Sequence, residues 1–187
     1  MGTAGKIAFL SLTAILLSAL ALGQESVCSY SANGIRLSWK RVANVAALQL
    51  PDSNGRARLP RKFEVYTADG ARLRKYMMAL NREKSRDHTI LLPLAEPGGC
   101  IPFLVQPAGT MSPELAAKYP QLVSLKGNGT REKGALLRLD YNGSELSAEI
   151  SRNGQVYLIT PWKRKKQVYY LVYKKEDGTP GSRLAEP

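Results

Sequence analysis

Histidine is almost missing from this chain: the 187 residues include one, His88, beside two cysteines, Cys28 and Cys100. A zinc enzyme that holds its metal on three histidines is therefore excluded, and two scattered cysteines offer no ligand spacing. No acidic calcium loop and no Gly-x-Ser-x-Gly elbow occur. His88, between Asp87 and Thr89, has no nucleophile to activate and is expected to be exposed or hydrogen-bonded for structural reasons. Glu145 and Glu149 share a strand face, but four strand residues span roughly 13 Å, too far for paired glycosidase carboxylates. Their expected role is to face solvent beside nearby lysines. No catalytic residue, bound metal or cofactor is expected, and the chain reads as a non-enzyme.

Long apolar runs are also scarce, with one exception at the start. Lys6 precedes an apolar stretch over residues 7–22, and Ala21-Leu22-Gly23 forms a small-residue cleavage pattern, so residues 1–23 read as an export signal. An uncleaved anchor is the alternative, although the run is slightly short for a span. No second transmembrane candidate follows, and export implies a secreted, periplasmic or cell-envelope location. Cleavage leaves 187 − 23 = 164 residues, enough for one ordinary domain. Residues 24–176 are read as that α+β domain and residues 177–187 as a flexible tail of linker composition. In an oxidising compartment the even cysteine count favours one disulfide, Cys28 with Cys100.

Acidic residues are outnumbered 15 to 27, a formal net charge of +12. Such a balance attracts polyanions without identifying one. The run Lys163, Arg164, Lys165 and Lys166 reads as a solvated hairpin loop, since export removes the nuclear-address reading. Trp162 precedes it and Tyr169, Tyr170 and Tyr173 follow, a mixture that can hold a polyanion or glycan by stacking and charge. Tyrosines that simply fit strands are the plainer account. A specific nucleic-acid partner is not expected of an exported protein.

Periodicity predicts a mainly antiparallel β fold with one or two short helices. Ile35, Leu37 and Trp39 alternate as a strand, and residues 42–50 are apolar enough for a strand or short helix. Residues 56–62 read as an exposed basic connection and residues 63–67 as a strand. Asp69 caps the clearest helix, in which Leu73, Tyr76, Met77 and Leu80 fall at i, i+3, i+4 and i+7. A hairpin over residues 88–94 and 100–106 comes next. A four-stranded C-terminal meander then follows, from the strand of Leu137 and Leu139 to residues 168–173. Its last strand is apolar on both faces and is expected to be covered on both, with the helix from Asp69 as candidate cover. Five Asn-Gly pairs mark turns, including Asn128-Gly129-Thr130 and Asn142-Gly143-Ser144, which also match the glycosylation acceptor pattern.

Residues 111–129, MSPELAAKYPQLVSLKGNG, form a punctuated helix-to-strand unit. Ser112 caps, Pro113 fits the first helical position, Glu114 suits the positive helix end, and Pro120 stops the helix after Tyr119. A short strand over residues 121–125 and a Gly127-Asn128-Gly129 turn complete it. This block, with Leu91-Leu92-Pro93-Leu94 before it and Leu137-Arg138-Leu139-Asp140 and Gly154-Gln155-Val156-Tyr157-Leu158 after it, resembles the amino-terminal propeptide region of bacterial secreted reprolysin-like (metzincin) zinc metalloproteases. The resemblance implies a bacterial source and a folding-aid or latency role toward a secreted zinc metalloprotease. It also raises a second use for Cys28 or Cys100, as a thiolate on that enzyme's zinc. The catalytic H-E-x-x-H-x-x-G-x-x-H pattern is absent here.

Overall fold

The computed structural model describes residues 27–32, 34–50, 59–82, 88–96, 99–164 and 166–178. The expected signal, the Asn54-Gly55 turn, most of the basic connection, the charged loop at 83–87 and residues 179–187 of the expected tail lie outside them.

Among the described residues, ten strands make one antiparallel sheet: β1 (Val27–Ala32), β2 (Ile35–Arg41), β3 (Glu64–Ala68), β4 (His88–Pro93), β5 (Cys100–Pro107), β6 (Val123–Gly129), β7 (Leu136–Tyr141), β8 (Leu146–Arg152), β9 (Gln155–Arg164) and β10 (Gln167–Lys174). Their order is β1-β2-β3-β10-β9-β8-β7-β6-β5-β4. The two edge strands β1 and β4 pack against each other, so the sheet is a nearly closed, barrel-like structure. This corrects the expected C-terminal four-stranded meander. The four strands are there, each paired to the next, but β7 continues into β6 and β10 into β3. The extra partners remove both open edges that a four-stranded unit would present.

Side-chain alternation fills the barrel. Along β7, Leu137, Leu139 and Tyr141 are buried, and along β8 so are Leu146, Ala148 and Ile150. They join Trp39, Tyr66, Phe103 and Tyr170 in one continuous core. The Trp39 ring meets Tyr170 edge-on at 5.0 Å, and its indole N–H donates to the Leu91 carbonyl at 3.0 Å, linking β2 to β4 across the seam.

Helix α1 (Gly70–Arg82) begins as expected, with the Asp69 carboxylate accepting from the Arg72 amide at 3.0 Å. Leu73, Tyr76, Met77 and Leu80 are all buried. The helix leaves β3 and packs against both β2 and β6, so it lies across one mouth of the barrel and plugs it. The Tyr76 hydroxyl donates to the Thr89 carbonyl, and burial drives its pKa well above the ordinary phenol value.

The last strand is covered on both faces. Val168, Tyr170 and Val172 face the barrel core, while Tyr169, Leu171 and Tyr173 face a second cluster on the outside. The outer cover is not α1. It is the β2–β3 connection, which lays Val42, Val45, Leu48, Leu50, Leu59 and Phe63 over Val65 and Leu171. Within it, the ambiguous apolar stretch forms a single 3-10 turn, Ala46–Leu48. The helix was a poor candidate for this cover because its apolar stripe is already buried in the inner core.

Strand β6 overturns another expectation. Gly127-Asn128-Gly129 is strand, with Asn128 paired to Leu104 and Leu136, and the chain reverses only at 130–134. A Cβ on Gly127 would lie 2.8 Å from the Leu104 carbonyl oxygen and 2.8 Å from Val105 Cγ1. Glycine is needed there for close approach, not for a turn. Asn142 and Asn153 do turn. The Asn142 side-chain oxygen accepts from the Ser144 and Glu145 amides at 3.0 and 2.8 Å. Asn153 and Gly154, at φ 49° and 73°, form a two-residue hairpin.

Candidate functional site

The block after β5 becomes a shelf on the plugged end of the barrel. Helix α2 (Pro113–Lys118) is capped by the Ser112 hydroxyl, which accepts from the Leu115 amide at 3.3 Å. Its own backbone amide, and then the Ser112 hydroxyl, hold the Glu114 carboxyl below its usual pKa. The Tyr119 amide closes the helix on the Leu115 carbonyl at 2.9 Å. Two further bonds fix the shelf to the barrel: Asn81 Nδ2 donates to the Pro120 carbonyl at 3.1 Å, and the Ala108 amide to the Ser124 carbonyl at 2.9 Å.

A helix this well fastened normally buries an apolar stripe. This one buries no residue. Leu115 and Tyr119, one turn apart and so on one face, are 44% and 37% exposed. Beside the shelf lies a cleft of about 270 Å³, lined by Met111, Leu122, Tyr141, Glu145, Leu146 and Pro161 among others. The arrangement can dock an extended or grooved partner surface.

Of the residues expected at a polyanion site, Trp162, Lys163, Arg164 and Lys166 fall at the end of β9 and in the turn that follows it. Trp162, Lys163 and Arg164 belong to β9 and not to a loop, because β9 and β10 pair up to Arg164 and Gln167. Lys166 follows in the turn, and Lys165 lies outside the described residues. Trp162 packs into the outer cluster opposite Tyr169. The Lys163 ammonium sits 3.9 Å from the Glu145 carboxylate. Strand alternation sends the Trp162 and Lys163 side chains to opposite faces. Glu149 likewise faces a lysine, Lys175, at 3.9 Å.

Cys28 and Cys100 are bonded to each other, joining β1 to β5 with a Cα–Cα distance of 5.9 Å. Neither is free to act as a thiolate. His88 is buried at the start of β4, opposite Val105, so the exposed alternative is set aside.

Sequence reasoning missed the opposite mouth. Arg152 pairs with Glu132 and, at 3.1 Å, with Glu96. The hydrogen bond that Arg152 donates to Glu132 chiefly, then the one it donates to Glu96, raises the Arg152 pKa. The Tyr157 hydroxyl donates to Glu96 at 3.0 Å, and the Lys174 ammonium lies 6.0 Å from the Tyr157 ring. Arg41 binds Glu64 at 2.6 Å on the same rim. A polar cavity of about 550 Å³ opens there among Arg61, Lys62, Glu64, Lys174 and Asp177. Its members are drawn from turns and strand ends that no local pattern connects. Among the described residues, no group of histidine, cysteine, aspartate or glutamate is arranged to hold a metal, and no helix is long and apolar enough to cross a membrane. No family model, curated protein or solved structure matches this chain.

Proposed function

We propose that the protein is an exported, non-catalytic module that docks on a secreted zinc metalloprotease as a latency, chaperone or inhibitory partner, with the shelf around α2 as its contact. The observation that carries this reading is the exposure of Leu115 and Tyr119 on a helix that is capped and fastened yet buries no residue. Apolar side chains held rigidly in solvent are the common form of interface anchors, since little ordering entropy remains to be lost on binding. The adjoining cleft gives the partner a second surface to fill. The block is also the segment that carries the propeptide resemblance. Under this reading proteolysis belongs wholly to the partner.

The test is titration of the purified chain against a secreted metalloprotease encoded beside it, with peptide hydrolysis as the readout. Wild-type protein is expected to inhibit or assist folding near one-to-one. The L115S/Y119S pair is expected to weaken that effect by tenfold or more while leaving the thermal midpoint unchanged. Absence of any complex with that enzyme refutes the reading.

A second reading, polyanion or glycan binding at the β9–β10 hairpin, is favoured by the exposure of Lys163 and Lys166 at its tip. Heparin retention that survives K163Q/K166Q counts against it.

A further inference from the structure

The outer face of β5, β6 and β7 carries an unusual row. Leu104 pairs with Asn128 and Asn128 with Leu136, so all three side chains point away from the core at one level of the barrel. Leu136 is 54% exposed and Leu104 39%. Two strand spacings set them roughly 10 Å apart. One level along the same face, Lys126 and Arg138 are directly opposite and both exposed. Like charges in that relation destabilise a sheet unless something anionic lies over them. Exposed Arg131 and Lys133 follow in the β6–β7 turn.

The carboxylates near this face leave it basic. Glu132 is engaged by Arg152, and Glu149, beside Arg138 in the register, has Lys175 at 3.9 Å. Asp140 lies two residues from Arg138 on the same face and is exposed. Four cations thus surround two protruding leucines.

We propose that this face docks on a lipid bilayer surface bearing anionic headgroups. Leu104 and Leu136 enter the interface, and Lys126, Arg131, Lys133 and Arg138 meet the headgroups. Charge complementarity alone would suit any polyanion. The leucines select the bilayer, because a sulfated glycan or nucleic acid offers aliphatic side chains nothing to bury in, whereas a membrane interface does.

Co-sedimentation of the exported chain with vesicles tests this. Phosphatidylcholine vesicles are compared with mixed phosphatidylcholine–phosphatidylglycerol vesicles, and heparin retention is measured in parallel. Wild type is expected to bind only the anionic vesicles. L104S/L136S, which keeps the charge, is expected to lower that binding about tenfold. K126Q/R138Q should lower it about 25-fold, roughly fivefold per cation. The hairpin variant K163Q/K166Q should lose clearly less than K126Q/R138Q. The single L136S, at the more exposed position, serves as a second variant should the double change disturb folding. The proposal is overturned if anionic vesicles are not bound, or if the leucine variants bind as wild type. It is also overturned if the hairpin variant loses as much as K126Q/R138Q. Loss confined to the charge variants, equal on vesicles and heparin, identifies a general polyanion surface instead.

Discussion

Replacing Gly127 with alanine asks whether Gly127-Asn128-Gly129 is packed strand or flexible turn. At Gly127 the added methyl would meet the backbone oxygen of Leu104 and a methyl of Val105, both at 2.8 Å, and the glycine is buried. Neither neighbour yields easily, because the oxygen belongs to the β5 backbone and the valine is 1% exposed in the core. Overpacking of this kind costs about 1–3 kcal/mol, against which alanine recovers roughly 0.5–1 kcal/mol of the entropy that glycine loses in a strand. A net loss centred on about 1 kcal/mol, and at most about 2.5 kcal/mol, follows. Gly70 is the control: an added Cβ meets nothing within 4 Å and no positive φ is needed, so alanine there should gain roughly 0.5–1 kcal/mol. In urea unfolding followed by tryptophan fluorescence, the two midpoints should move in opposite directions by a few tenths to about 1 M. If Gly127→Ala is as stable as wild type or more so, the packed-strand account of β6 is wrong.

Two further predictions concern the closed barrel. Reducing the disulfide, or the C28S/C100S pair, frees a sequence separation of 72 and should lower the unfolding free energy by about 4 kcal/mol. Identical urea midpoints with and without reductant would contradict this. Burial pushes the Tyr170 phenol up to about 12, against its partial offset by the Leu146 backbone. A phenol whose folded pKa exceeds its unfolded value of about 10 releases its proton sooner when unfolded. Its contribution is therefore intact below pH 10 and lost as pH rises through 12. Tyr170→Phe should flatten that decline, read as thermal midpoint against pH, and an unchanged slope would show that Tyr170 does not drive it.

What the sequence made legible was whatever a short window contains. Leu73, Tyr76, Met77 and Leu80 announce α1 because one helical stripe is buried whole. Ser112 and Pro120 bracket α2 by backbone chemistry alone. Strand β1, VCSYSA, gives no such signal: it is extended because β2 offers it a ladder. Gly127-Asn128-Gly129 carries turn residues for a different reason, the close approach of β5. The outer cluster needed knowledge of which strand lies beneath Val42 and Leu48, and the charged rim needed the barrel itself. Cys28 and Cys100 come together as the expected disulfide. The run from Lys163 reads as a loop in sequence, yet Lys163 and Arg164 continue β9, because the pairing with β10 extends to Arg164.

The pairing of β3 with β10 has a kinetic consequence. Seven strands, β4 to β10, can zip in sequence, each hairpin closing on the one just formed. The unit β1–β3 cannot join them through β3 until Tyr66 meets Tyr170, 104 positions later in the chain. A chain emerging from its amino end therefore holds β3 with one edge unpaired until β10 has appeared. The final strand is the keystone, and time spent before its arrival is time in which β3 can find the wrong neighbour.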